Sequence, residues 1–482
     1  MRVLFITPPF HAGVVEVAGR WVPLYFVTLA GSVREAGHEA FIYDAMTKHV
    51  DYPEIEARIR EVRPDVVCTT AMTCTSPDAI KLMELAKEID PSIITIAGGV
   101  HSSFMYEEMF SLTPALDYVV VGEGEVTLVE LLGTLSNGKG VSGVPGVAYR
   151  DGDAAAFTGA RDYIEDLDAI PLAWDLLDWE DYTYFILPGS RLAAIDTSRG
   201  CDKDCTFCSQ QKFWKQTWRA RTPEGLVREL RVLHDEYKAD VVLFTDDYPT
   251  PDRQRWEAFL DLMISEGPEM YILMETRAKD IIRDRDILHK YRKAGIIHIY
   301  VGTEATDDKA MEYMKKDLSI EEAREALALC REHGIITETS MILGFPDDTP
   351  ESIRKTIAQV RGFNPDFAHF LALAPWPYAD MYKEMEPYIA TKDYKHYNLV
   401  DPVIKPRNMT LEEVDRMIID GYRDFYMSKF TEMHSEKDAF RRDYLMKAMK
   451  RMMGHSFIKK KLGMLGEMPE EIRKILASTM GD

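Results

Sequence analysis

Short apolar runs alternate with amphipathic helical stretches twice along this 482-residue chain, and that double alternation constrains its fold more than any other feature. In residues 1–150, strands are expected at 3–6, 40–43, 65–70, 93–97 and 118–121, with helices at 25–36, 55–62 and 77–89. Strands this apolar are buried on both faces, as in a parallel sheet joined by helical crossovers. The pattern predicts a doubly wound, Rossmann-like α/β domain. Such sheets bind ligands beyond the carboxyl ends of their strands. The turns there are rich in glycine and small hydroxyl residues: the stretch 69–76, then Gly98-Gly99-Val100-His101-Ser102-Ser103, then Gly122-Glu123-Gly124-Glu125. They let a large flat or phosphate-bearing ligand approach the backbone. Any doubly wound sheet needs such turns, so alone they do not name the ligand.

Residues 151–190 read as a connector, with a turn at Asp151-Gly152-Asp153 and no sustained period. The second alternation fills 191–382. Its strands are expected at 192–196, 241–244, 272–275, 297–301, 339–343 and 368–373, with helices at 224–237, 253–266, 286–294, 320–333 and 349–362. Six strand–helix units predict a partial (β/α)6 barrel with its chemistry at the C-terminal ends of the strands. Residues 383–482 are Met-rich and polar, and read as an α-helical cap.

Directly after the first barrel strand stands Arg199-Gly200-Cys201-Asp202-Lys203-Asp204-Cys205-Thr206-Phe207-Cys208. Three thiols this close reach one metal centre. Three is odd for a disulfide framework and one short of a closed structural zinc site, unless a distant His completes it. A 4Fe–4S cluster has four irons, usually held by four thiolates, so three would leave one iron open. Three unrelated core thiols are the bland alternative. The chain has only six Cys, which makes chance clustering a poor account.

The later barrel strands end in polar groups in register with this loop: Asp246 and Asp247, Glu275 and Arg277, Glu304 after Gly302-Thr303, and Gly344. An Arg suits a carboxylate, acids suit an ammonium or a diol, and a glycine lets a flat base lie on the backbone. Asp348 and Thr349 precede a helix beginning at Pro350 and read as its N-cap. Arg277 and Glu304 follow apolar strands and read as ligands.

A formal charge of −22, from 58 basic and 80 acidic residues, argues against nucleic-acid affinity, which depends on neutralising phosphates. One basic stretch, 441–461, holds Arg441, Arg442, Lys447, Lys450, Arg451, Lys459, Lys460 and Lys461. Its Tyr444, Leu445, Ala448, Met449, Met452 and Met453 suit the apolar face of a helix, so packing on the body is favoured over an anionic partner. No apolar run is long enough for a membrane span, and the start lacks the features of a signal peptide. Clustered thiols suit a reducing cytoplasm.

The chain resembles the radical S-adenosylmethionine (SAM) enzymes that carry an N-terminal cobalamin-binding domain. Within them it looks most like the anaerobic magnesium-protoporphyrin monomethyl ester cyclase group. The resemblance rests on Gly19-Arg20-Trp21-Val22-Pro23, Gly98-Gly99-Val100-His101, Gly122-Glu123-Gly124-Glu125, the run 201–214, Gly302-Thr303-Glu304-Ala305 and Pro375-Trp376-Pro377. It implies a 4Fe–4S cluster on Cys201, Cys205 and Cys208, and SAM on the open iron. Phe207, Asp246, Asp247, Arg277, Glu304 and Gly344 would contact SAM. Cobalamin would lie between the domains, against Thr70, Thr73, Thr75, Ser76, Gly98, Gly99, His101, Gly122, Glu123 and Gly124. Many such domains supply a lower axial His from an Asp-x-His-x-x-Gly run. This chain has Asp44-Ala45-Met46-Thr47-Lys48-His49, with Met46 where the His would be. A bound cobalamin is then expected base-off, without a histidine from that loop, or the domain is vestigial. His49 is expected on the surface.

Three functions follow from the resemblance. The first is a cobalamin-dependent C-methyltransferase that uses a 5′-deoxyadenosyl radical on a protein, a peptide or a large metabolite. The second is an oxidative cyclase of a porphyrin ester, and the third a non-catalytic cobalamin sensor. Methyl transfer is placed slightly ahead of cyclisation. An external donor of flavodoxin or ferredoxin type would supply electrons. Trp214, Trp218, Trp376, Tyr378 and Tyr397 would line a macrocycle site or else belong to the core.

Overall fold

The computed structural model describes residues 1–10, 18–152 and 154–455. Two sheets and a small hairpin organise them. The first sheet has seven strands in the order β2-β1-β3-β4-β5-β6-β7. Parallel strands β1 (Arg2–Ile6), β2 (Glu39–Tyr43), β3 (Val66–Thr70), β4 (Ile94–Gly98) and β5 (Tyr118–Val120) form its body. Side chains alternate faces along a strand. Val3 and Phe5 therefore pack with Phe26, Val66 and Val120 on one side, while Leu4 and Ile6 pack with Ile55, Ile59 and Val67 on the other.

β6 (Val147–Asp151) and β7 (Ala154–Phe157) extend this sheet antiparallel. The apolar pattern of the sequence ends the sheet at β5 and starts a connector at 151. An Ala-rich edge strand carries little β preference and is held by backbone pairing, so it left no mark in the pattern. The rest of 151–190 is a set of short helical turns that join the two sheets. Trp174 there is buried in a core shared by Val27 of the first half and Leu226 and Leu230 of the second.

Six parallel strands form the second sheet in the order β15-β14-β13-β12-β11-β8, with no pairing between its ends, so it is a partial barrel. They are β8 (Leu192–Ile195), β11 (Val241–Phe244), β12 (Tyr271–Thr276), β13 (Ile296–Val301), β14 (Ile336–Leu343) and β15 (Phe367–Ala372). Between β8 and β11 lies the antiparallel hairpin β9 (Ser198–Gly200) and β10 (Trp218–Ala220), which the sequence did not announce.

The C-terminal helices Leu411–Ser435 and Ala439–His455 pack along β15 and under the barrel. Tyr444, Leu445 and Met449 cluster with Leu192, Val241 and Ile336, which begin their strands, so these helices close the floor. The segment 386–410, expected to be helical, is mostly irregular and holds a bridge between Ile389 and Ile404. Arg441 is buried against Asp366 at 2.7 Å and is not a surface cation. Lys459, Lys460 and Lys461 lie outside the described residues. No helix among the described residues is long and apolar enough to cross a membrane.

Candidate active site

The cysteine loop is fixed by its neighbours. Gly200 has φ 94°, and a Cβ there would fall 2.2 Å from the Thr217 carbonyl oxygen, so the loop needs glycine at its entry. Asp246 accepts from the Thr197 N–H at 2.8 Å, the Thr197 hydroxyl at 2.7 Å and the Ser198 hydroxyl at 2.5 Å. Its carboxylate is thereby committed to the backbone ahead of the loop, a role that the sequence reading did not give it. The Thr206 N–H donates to the Met314 carbonyl at 3.0 Å, and the Met381 N–H donates to the Thr206 carbonyl at 3.1 Å. The Cys205 thiol lies 3.7 Å from the Lys315 carbonyl oxygen. Lys315 and Asp317, at φ 50° and 46°, hold the left-handed conformations of this turn.

Cys201, Cys205, Phe207 and Cys208 line a cavity of about 160 Å³ together with Asp247, Arg277 and Glu304. The structure thus gathers seven of the nine residues expected around the cluster and SAM. Asp246 is not in this wall, and neither is Gly344. Gly344, at φ 90°, donates its N–H to Asp348 at 2.9 Å within the N-cap of the next helix. Burial pushes the Cys201 thiol up to about 11 and the Cys208 thiol up to about 12, so both are neutral without a metal. Metal binding must displace those protons. Three thiols lining one cavity suit a polynuclear cluster.

Glu275, Tyr300 and Lys316 also line this cavity. Lys316 is paired with Glu304 at 2.9 Å, and its backbone carbonyl accepts from Arg277 at 2.9 Å. Burial works against the Lys316 charge, but Glu304 more than offsets it and the pKa is raised. The Glu304 carboxylate also accepts from the Ser340 hydroxyl at 3.1 Å, and its backbone sits at φ 62°. Lys316 escaped the sequence reading because Met314-Lys315-Lys316-Asp317 reads as a solvated turn; only the fold buries it.

Burial first, then the neighbouring Asp246, raises Asp247 to about 7. Burial first, then Asp247, raises Glu275 to about 8. Both carboxyls hold protons in the fold that the unfolded chain has released, so the stability these two contribute is full below about pH 4 and falls as pH rises toward 8. In the apoprotein, Glu275→Gln should flatten that fall, measured as melting temperature from pH 5 to pH 8. An unchanged slope would contradict the assignment.

A second cavity, of about 430 Å³, lies at the carboxyl ends of β3, β4 and β5 and faces the barrel. Thr70, Gly98, Gly99, Gly122, Glu123 and Gly124 line it, as expected. A Cβ at Gly99 would fall 2.5 Å from the Thr70 hydroxyl, and one at Gly124 2.8 Å from Leu29, so glycines keep this rim open. Below the rim an apolar shaft of Phe5, Phe26, Cys68, Ile96, Val120 and Leu128 runs into the sheet core. Tyr25, Phe213 and Trp214 join the wall, and Gln210 and Asp247 line both cavities, so the two are adjacent.

Thr73, Thr75, Ser76 and His101 stand outside this wall. The Thr73 hydroxyl bonds Tyr378 at 2.9 Å and His101 at 3.3 Å, while Thr75 and Ser76 bond within their own turn. Burial lowers His101 to about 4, so its ring is neutral. Turn composition points to these residues, but the Thr73 and His101 side chains serve the contact between the two halves, and those of Thr75 and Ser76 serve their own turn. Tyr378 stacks on Phe104, Tyr397 is fully buried and Trp218 donates to the Tyr248 carbonyl, so these aromatics serve packing. The loop with Met46 is absent from the cavity wall. Asp44 accepts from Thr7 at 2.8 Å and Tyr182 at 3.2 Å, and Lys48 pairs with Asp178 and Asp181 at 2.6 Å. His49 is exposed.

Comparison with known proteins fits this layout. A family model described as B12 binding domain matches residues 10–132, and one described as Radical SAM superfamily matches residues 195–360. The anaerobic magnesium-protoporphyrin IX monomethyl ester cyclase of Rubrivivax gelatinosus is 35% identical, over 98% of this chain and 86% of that protein. The chain belongs to the radical SAM enzymes with a cobalamin-binding domain. It is also 27% identical to the hopanoid C-3 methylase of Methylococcus capsulatus, over 84% of this chain and 76% of that protein. The solved structure of the cobalamin-dependent SAM radical enzyme OxsB with aqua-cobalamin bound shares the fold, at TM-score 0.71 and 15% identity over 99% of this chain and 75% of that one.

The cofactors of this radical SAM enzyme are a 4Fe–4S cluster, SAM and cobalamin. Its residues fit them. Three thiols share the smaller cavity with a guanidinium, acids and a buried ammonium. The larger cavity offers a glycine rim over an apolar shaft, suited to a broad polar face with an apolar arm.

Proposed function

We propose that this radical SAM enzyme functionalises an unactivated C–H bond of a large, flat substrate, in an oxidation of the porphyrin-ester cyclase kind. The observation that carries this reading is the 35% identity to a cyclase over 98% of the chain, with methyltransferase likeness at 27% over 84%. C-methyl transfer, placed first on the sequence alone, becomes the second reading, supported by the methylase relative.

The bound cluster with SAM supplies hydrogen abstraction and cobalamin supplies group or electron transfer, while the protein orients and shields. Cys201, Cys205 and Cys208 would hold the cluster by three corners. Arg277 would take the SAM carboxylate, and Glu304, fixed by Lys316 and Ser340, would take a hydroxyl or ammonium. Asp247 stands where the cavities meet and holds a proton near neutrality. Phe213 and Trp214 give the larger cavity an aromatic wall. An external donor of flavodoxin or ferredoxin type would supply the electron.

SAM carrying a deuterated methyl group separates the two reactions. Cyclisation leaves the product unlabelled while 5′-deoxyadenosine accumulates. Label in the product, read by mass spectrometry, would replace this proposal with methyl transfer.

A further inference from the structure

We propose that a buried clasp around Arg199 couples the occupancy of the two cavities, making Arg199 and Glu125 positioning residues for the cofactor pair. The inference rests on the reading of these cavities as cofactor sites. Arg199 lies on β9, two residues ahead of Cys201. Its guanidinium reaches three carboxylates: Asp196 at 2.7 Å, Glu123 at 3.0 Å and Glu125 at 2.8 Å. Directly opposite on β10, Arg219 meets the same Glu123 at 3.0 Å. Arg219 also lies 4.8 Å from the Tyr163 ring and 5.4 Å from the Trp214 ring.

Glu123 lies in the turn after β5 and Glu125 opens the helix that follows it; Gly122 and Gly124 of that turn rim the larger cavity. One hairpin thus carries the first cysteine of the loop and grips the glycine turn of the other domain. Its charges are shielded from water, with side chains 11% exposed for Arg199, 5% for Glu123 and 8% for Glu125. Pulling the turn away would strand buried charges, which is costly, so turn and hairpin move together or not at all. A ligand that fixes the turn therefore favours the position of the cysteine loop suited to its own cofactor. Linkage makes the effect reciprocal.

The test titrates hydroxocobalamin, by absorbance, into the full chain as wild type, Arg199→Lys and Glu125→Gln. Each is measured with and without the reconstituted cluster plus SAM. Wild type should bind cobalamin at least about fivefold more tightly with the cluster and SAM in place, the lower end of common coupling strengths. Both variants should lose most of that ratio while keeping iron content and a cooperative melting transition. The EPR spectrum of the reduced cluster should respond to cobalamin in wild type and not in Glu125→Gln, whose change lies in the other domain. An unchanged ratio in the variants overturns the coupling, as does a wild-type ratio near one with both cofactors bound. If neither variant folds, the clasp is only structural and the proposal also falls. Wild type that takes up no cluster or no cobalamin fails earlier, in the single-cofactor titrations, and removes the underlying reading with it.

Discussion

Cys205→Ala should purify folded and hold no intact cluster after anaerobic reconstitution, with iron falling from about four per chain to below about one. Three thiolates hold three irons and leave the fourth for SAM, so the loss of any one leaves two corners unheld. Cys205 is the most buried of the three, at 8% exposure. The loop's backbone stays anchored to Met314 through Thr206, so its fold does not depend on the thiol. Production of 5′-deoxyadenosine from SAM and reductant should fall to background. Cys330→Ala is the control: Cys330 is buried in the helix Ile320–Glu332, away from the cavity, and its loss should leave iron content unchanged. Iron retained at the wild-type level in Cys205→Ala would refute the assignment.

Arg441→Met should cost the barrel about 3–5 kcal/mol, the usual penalty for stranding one member of a buried ion pair. Asp366 accepts from the Thr337 N–H at 2.8 Å, the Thr337 hydroxyl at 3.0 Å and Arg441 at 2.7 Å. Both side chains of the pair are 4% exposed. Arg441 further donates to the Ile335 carbonyl at 2.7 Å, so one residue ties the last helix to the starts of two barrel strands. Calorimetry should show the barrel melting earlier. Adding Asp366→Asn should restore much of the loss, because a neutral pair removes the stranded charge. A loss below about 1 kcal/mol would mean that the C-terminal helix contributes little to the floor, since exposed pairs give only that much.

The parallel strands were legible in the sequence because each is a short run buried on both faces. β1, β8 and β11 lie within a residue or two of their expected places, and helix Arg253–Glu266 matches its expected bounds. The β6–β7 and β9–β10 hairpins were not legible. The edge strand β7 of the first is mostly alanine, and the second is a pair of three-residue strands held by cross-strand pairing. The cysteine loop and the glycine rim stood out because spacing and small size are local properties. Lys316 and Tyr25 reach the cavities only through the path of the chain in three dimensions. Thr73 and His101 had fitting chemistry, but the packing of Tyr378 claims them.

A cluster with one open iron would be held where SAM can reach it. The direct measurement is the EPR spectrum of the reduced, anaerobically reconstituted protein before and after adding SAM. A 4Fe–4S signal whose g-values shift on addition is the predicted result. A signal indifferent to SAM, or no cluster signal at all, would contradict the account.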